Sequence, residues 1–152
     1  MTEQISRSLV ETFYKAYAAR DADAVAPFLD PDVVWTISGP VDVLRFCGTR
    51  HGKAAALDMM ARVVPQVFHI FSFVHEAILV DGDRVASLNR LSASLGKRVV
   101  SYRLAHHLRF RDGKVVEMLS LIDSFDAVQQ VLGRPLTTSD RVAAGEGELV
   151  AV

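Results

Sequence analysis

His106 is the residue whose position most suggests chemistry. Residues 99–111 read as a strand, in which successive side chains point to opposite faces. Tyr102, Leu104, His106, Leu108 and Phe110 share one face; Ser101, Arg103, Ala105, His107, Arg109 and Arg111 share the other. The basic set cannot be buried unpaired, so the apolar set turns to the core and carries His106 with it. An imidazole placed there suits general acid or base work, because its reference pKa lies near physiological pH. The competing reading is a core histidine satisfied by a neighbouring hydroxyl.

Arg90 is the second candidate, suited to an anionic or carbonyl oxygen; the competing reading is an ion pair with Glu76 or Asp123. Alternation over residues 84–95 does not choose its face. One parity holds Arg84, Ala86, Leu88, Arg90, Ser92 and Ser94, the other Val85, Ser87, Asn89, Leu91, Ala93 and Leu95. Residues 114–122 are equally ambiguous, with Val116, Met118, Ser120 and Ile122 set against Val115, Glu117, Leu119 and Leu121. Asp123 is both a candidate carboxylate and a natural helix cap. No metal site is expected: His106 and His107 face opposite ways, and His69 and His75 would lie about 20 Å apart along a strand. No phosphate-cradling glycine loop and no nucleophile elbow is found, and no cofactor is implied. Trp35, Tyr102, Met59 and Met60 read as core, and Asp42, Arg45 and His51 as a solvated loop.

The chain of 152 residues is the size of one domain, and half of it is hydrophobic, ample for a core with a surplus for a pocket or an interface. Seventeen basic and eighteen acidic residues leave a net charge of -1. Without a basic stripe interleaved with aromatics, nucleic acid is not an expected partner. No apolar run is long enough to span a membrane, and residues 1–8 lack the apolar run of a signal peptide. Cys47 is the single cysteine, which fits a cytoplasmic setting.

The elements that must position these residues follow from periodicity. Ile5, Leu9, Phe13 and Tyr17, with Val10 and Tyr14, form one stripe of a long first helix. A short second helix starts at Asp21 or Asp23 and ends by Leu29. Residues 33–38 are β-branched and aromatic, hence a strand. Residues 39–51 read as a long loop, and residues 52–64 as a third helix ended by Pro65. Four long strands follow, over residues 67–80, 84–95, 99–111 and 114–122, joined by tight turns and therefore antiparallel. A last helix, 125–132, ends at Gly133. Residues 1–133 make one domain, and residues 134–152 read as a mobile tail that adds little stability. This order is α+β: a cone-shaped, strongly curved antiparallel sheet, with helices over its concave face and an internal pocket.

Three segments carry a family likeness: Ala18-Ala19-Arg20-Asp21 after the aromatic helix, Asp32-Val33-Val34-Trp35 on the first strand, and the run from Leu108 to Val116. Together with the element order they resemble the nuclear transport factor 2-like superfamily, and within it the SnoaL-like and ketosteroid-isomerase-like branch. The likeness covers roughly residues 5–133. It implies that Leu88, Arg90 and Ser92 look inward with Met118, Ser120 and Ile122, and that Phe13, Tyr17, Val34 and Thr36 face the cavity. It also exposes departures. Where ketosteroid isomerases place a tyrosine, an aspartate base and an acidic donor, this chain has Phe13, Thr36 and His106, so that mechanism is not expected. Where limonene-epoxide hydrolases need carboxylates, Arg90 and Ser120 stand. The histidine of SnoaL-like cyclases matches His106; their aspartate falls on Ser120, three residues before Asp123.

The resulting expectation is a cofactor-independent enzyme working by acid/base chemistry on a small, largely apolar molecule, of cyclase, isomerase or hydratase type. The alternative is a non-catalytic ligand-binding or protein-interaction module of the same fold. The candidate catalytic residues are His106, Arg90 and Asp123, and the candidate ligand contacts are Phe13, Tyr17, Thr36, Met60, Leu88, Tyr102, Leu104, Met118, Ser120 and Ile122. An inward Arg90 requires Arg98 as a third turn residue or a bulge. A strict two-residue turn at Gly96-Lys97 would set it opposite Arg103 on the outer face. A homodimer is expected through the outer sheet face, with Leu91, Ala93, Leu95, Leu119 and Leu121 as its apolar residues.

Overall fold

The computed structural model describes residues 4–137. Helix α1, Arg7–Ala18, is capped by the Ser6 hydroxyl, which accepts from the Leu9 N–H at 3.1 Å. Its buried face is Val10, Phe13, Tyr14 and Tyr17, as the stripe predicts. Asp21 caps the short α2, Ala22–Val25, which runs into a 3-10 turn at Ala26–Phe28. Strand β1, Leu29–Ser38, follows.

The segment expected to be wholly loop contains a short strand, β2, Gly48–His51. Its Gly-Thr-Arg-His sequence has no apolar alternation to announce it; pairing with the free edge of β1 makes it a strand. The third helix also departs from expectation. Helix α3, Lys53–Asp58, continues through a π-helical turn, Met59–Val63, into α4, Val64–Val67, so Pro65 does not end it. The wider turn has already displaced the regular hydrogen-bond ladder, and Pro65 sits in the first turn of α4, where its missing N–H costs least.

Strands β3, His69–Asp81, β4, Arg84–Leu95, β5, Arg98–Arg111, and β6, Lys114–Ile122, form an antiparallel meander. The six strands lie in the order β2-β1-β6-β5-β4-β3, a curved sheet that does not close. The fold is therefore the expected α+β arrangement, with one addition: β1 runs parallel to β6. Helix α5, Ser124–Leu132, is docked on β5 by the Gln130 side chain, which bonds both the N–H and the C=O of Ser101 at 2.7 Å. Arg98 donates to the carbonyls of Gln130 and Val131, satisfying the helix end at left-handed Gly133.

The described residues share one hydrophobic cluster on the concave side, including Phe13, Trp35, Phe68, Tyr102, Leu108 and Phe110. Leu136 packs against it and its N–H meets the Gln129 amide oxygen at 3.1 Å. Leu136, within the segment read as a tail, thus packs on the core, while residues 138–152 lie outside the described residues.

Two strand faces differ from the family-based expectation. On β1, Val33, Trp35 and Ile37 are buried, whereas Thr36 lies on the opposite face and pairs with the Thr49 hydroxyl at 3.0 Å; Thr36 and Val34 do not face the cavity. On β4, the Gly96-Lys97 turn is strict and sets Arg90 opposite Arg103 and Leu88 opposite Ala105, so both look outward. Ser87, Asn89, Leu91 and Ala93 are the buried set. Leu91 and Ala93 therefore leave the proposed dimer face.

Candidate functional site

The concave face holds a small cavity that opens to solvent. Its walls are mainly apolar: Ile37, Phe46, Met59, Phe68, Leu91 and Leu104 among others. Tyr17, Arg20, Tyr102, Ser120 and Ile122 complete the lining. Of the expected ligand contacts, Tyr17, Tyr102, Leu104, Ser120 and Ile122 are therefore on the cavity. Phe13 and Met118 are buried core residues outside its lining. Met60 belongs to an adjoining depression, shared with Arg20, Val64, Phe68 and Ile70.

His106 lies behind this wall, 2% exposed. Its cross-strand neighbours are Ser87 on β4 and Ser120 on β6. Its ring meets Tyr17 edge-on at 5.6 Å and stacks with Phe73 at 5.6 Å and Tyr14 at 5.9 Å. Tyr17 and Ser120 both line the cavity, so His106 is one side chain removed from it.

Its Nδ1 ends a chain of buried hydrogen bonds absent from the expected site. His75 Nδ1 lies 2.6 Å from Asn89 Oδ1, which can only accept, so His75 donates. Asn89 Nδ2 donates to Ser87 Oγ at 3.0 Å. Ser87 Oγ and Tyr14 Oη are 2.7 Å apart, and Tyr14 Oη and His106 Nδ1 are 3.1 Å apart. Ser87 already accepts from Asn89. With Ser87 donating to Tyr14 Oη and Tyr14 donating to Nδ1, every donor along the chain from His75 to Tyr14 has an acceptor. That arrangement corresponds to the Nε2–H tautomer of His106.

Among the described residues that buried Nε2 has no partner, and neither has Nε1 of Trp35, whose ring stacks with Tyr17 at 6.0 Å. A buried N–H without an acceptor costs about 1–3 kcal/mol. Burial, with smaller electrostatic contributions from His75 and Arg20, pushes the His106 pKa down to about 3. The imidazole is neutral at physiological pH. It is a weak base but a sound hydrogen-bond donor, and a neutral histidine can polarise a carbonyl in this way. The Tyr14 and Tyr102 phenols are pushed up, first by burial, and stay protonated.

Arg90 is not part of this site. It pairs with Glu76 at 3.4 Å on the outer face, beside Arg103 at 3.2 Å from the same carboxylate, and its side chain is 43% exposed. The ion-pair reading holds, on the solvent side of the sheet. Leu88 is likewise exposed. Asp123 is exposed and caps α5, accepting from the Asp126 N–H at 3.3 Å. Residues that sequence reasoning missed are Tyr14, His75, Ser87, Asn89 and Arg20. Counting back from a strict Gly96-Lys97 turn was the one signal for Ser87, since it places Ser87 directly opposite His106.

Among the described residues, no group of three or more His, Cys, Asp or Glu is placed to hold a metal ion. No helix there is long and apolar enough to cross a membrane. Cys47 is a buried free thiol whose pKa burial pushes up to about 11, so it is not an activated nucleophile.

An open curved sheet, helices across its hollow and an apolar cavity with a few inward polar groups define a nuclear transport factor 2-like domain. The chain belongs to the SnoaL-like domain family within that superfamily: the family's model matches residues 10–118. Among solved structures, it is 31% identical to a putative isomerase from Rhodopseudomonas palustris, with a TM-score of 0.71 over 83% of this chain and 94% of that one. TerC, crystallised with polyporic acid, is 21% identical, with a TM-score of 0.74 over 82% of this chain and 96% of that one. An epoxide hydrolase of M. tuberculosis is 19% identical, with a TM-score of 0.65 over 83% and 88%. The last two likenesses establish the fold alone. No curated protein matches the chain.

Proposed function

We propose that this chain is an enzyme of the cyclase, isomerase or hydratase type acting on a small, largely apolar molecule. In this reading the neutral His106 donates its Nε2–H to an oxygen of that molecule. The carrying observation is the buried, partnerless Nε2 behind Tyr17 and Ser120. A ligand oxygen entering beside those residues would relieve that unmet donor and be polarised in a site of low dielectric. The Tyr14–Ser87–Asn89 chain keeps the proton on Nε2 rather than Nδ1, as partners of the far nitrogen commonly do for working histidines. The putative-isomerase relative supports a catalytic role. A cytoplasmic setting is part of the proposal.

The alternative reading, a ligand-binding module without chemistry, is favoured by one observation: among the described residues, no carboxylate lines the cavity to act as a base. A single ketone probe separates the two. With 4-phenylbutan-2-one, the enzyme reading expects binding and accelerated exchange of the protons next to the carbonyl for deuterium, with solvent water taking the proton as His106 polarises the carbonyl, followed by NMR. His106→Phe should weaken binding by about tenfold, the worth of one good buried hydrogen bond, and remove the acceleration. Binding without exchange selects the module, and binding indifferent to His106→Phe rejects the role given to Nε2.

We also propose that two copies pair through the outer sheet face. Ala77, Leu88, Ala105 and Leu121 lie in one cross-strand row, with Leu79, Ala86 and Leu119 in the next. Leu79 is 69% exposed and Leu121 52%. Burying such side chains gains about 25 cal/mol per Å². Sedimentation at micromolar concentration should give a dimer that Leu88→Glu with Leu121→Glu converts to monomer; a wild-type monomer removes the idea.

A further inference from the structure

Arg20 is the cation that the reading above leaves unused. It follows α1 in the left-handed backbone region, with φ at 58°, and its N–H bonds the Tyr17 carbonyl at 3.1 Å. A non-glycine residue there is uncommon. The turn brings the guanidinium back over the Tyr17 ring, 5.0 Å from its centroid. Arg20 is half-buried and lines both the cavity and the adjoining depression, so it stands where the two meet.

Among the described residues, the other half-buried arginine heads find oxygen partners. Arg50 donates to the carbonyls of Arg45, Phe46 and Cys47, and Arg109 pairs with Glu117. Among the described residues, Arg20 has no side-chain hydrogen bond and no ion pair; its one contact of this kind is the Tyr17 face. Neither lining contains an aspartate or a glutamate, and the depression adds a second basic residue, His69. Burial dominates the ionisation of Tyr102 and His106, yet the Arg20 charge contributes at both, which puts it within electrostatic reach of the cavity interior. A guanidinium with five donors, partly withdrawn from water and lacking a counter-ion, is a ready partner for a planar anion.

We propose that Arg20 makes the cavity selective for apolar molecules that carry a carboxylate or a similar planar anion, which it holds at the mouth while the apolar body lies against Phe68, Leu91 and Leu104. This deepens the proposed function and rests on it, because the other end of the same molecule is the one offered to His106.

The test compares 3-phenylpropanoate with its uncharged partner of the same shape, 3-phenylpropanamide, by calorimetric titration of the full-length protein at pH 7. Wild type is expected to bind the acid at least about tenfold tighter than the amide, the usual range for a charge-assisted pair. Arg20→Asn, a residue that tolerates the left-handed backbone, should erase the preference by weakening the acid, with the amide changed less than about twofold. Arg20→Lys should keep part of the preference, and keeps the test alive if the asparagine variant does not fold. Equal binding of acid and amide by wild type, or a preference that survives in Arg20→Asn, overturns the proposal. If the two bind equally and His106→Phe weakens both, the anion selectivity fails alone; if neither binds, the proposed function falls with it.

Discussion

Lowering the pH from 7 to 4 is expected to cost the folded protein about 3 kcal/mol through His106 alone, at 1.36 kcal/mol per pH unit. The sign follows from the two states. Unfolded, the imidazole binds a proton below its ordinary pKa near 6.5. Folded, burial holds that pKa at about 3, so across this window the unfolded chain carries the extra proton. His106 therefore leaves stability intact above pH 6.5 and removes it progressively as the pH falls towards 3. Carboxylates titrate in the same range, so the informative quantity is a difference. The urea midpoint of wild type, followed from pH 7.5 to 4, should fall more steeply than that of His106→Gln. Parallel curves would mean that His106 is solvated or paired when charged, and the neutral-donor reading would not survive.

Ser87→Ala is expected to destabilise the protein by roughly 1–3 kcal/mol, more than the loss of one hydroxyl from an exposed strand face ordinarily costs. Ser87 Oγ accepts from Asn89 Nδ2 and also bonds the Tyr14 hydroxyl, and all three residues are buried. Removing it leaves Asn89 Nδ2 without an acceptor, at a cost of about 1–3 kcal/mol, while the Tyr14 hydroxyl keeps His106 Nδ1 as its partner. Ser92 is the internal control, five residues along the same strand but on the outer face, where it meets Ser101 at 3.0 Å. Ser92→Ala should cost less than about 0.5 kcal/mol. Similar costs at the two serines in denaturant titrations would contradict the assignment of faces on β4.

The contrast between these serines also marks where sequence reading succeeded and failed. On β5 the inner parity is aromatic and aliphatic except for His106, while the outer parity is heavily basic; charge burial alone decides. On β4 both parities mix small polar and apolar residues, because the inner face carries a hydrogen-bonded chain in place of plain hydrophobic packing. Alternation has nothing to grip there, and the family register chose the wrong side for Leu88 and Arg90. The local geometry of the Gly96-Lys97 turn was the better guide. On β1 the borrowed register was again one residue out, favouring Thr36 where Trp35 and Ile37 turn inward. Tyr14 was visible as a member of the α1 stripe, but its hydroxyl's partners lie 73 and 92 positions away, beyond what a periodic pattern can report.

Those separations bear on how the chain assembles. The β3–β6 meander closes through tight turns, so its pairings are local and quick to form. The seam between β1 and β6 is of another kind: it joins Leu29 to Val115 and Trp35 to Met118, and loop closure over so long a span is slow. During synthesis, β1 and α1 emerge long before the strand they must lie against. The meander is thus expected to form a half-built bowl that waits for the N-terminal segment. Only when α1 swings over it does Tyr14 reach Ser87 and His106, so the polar chain behind the cavity is completed by the last docking event of folding.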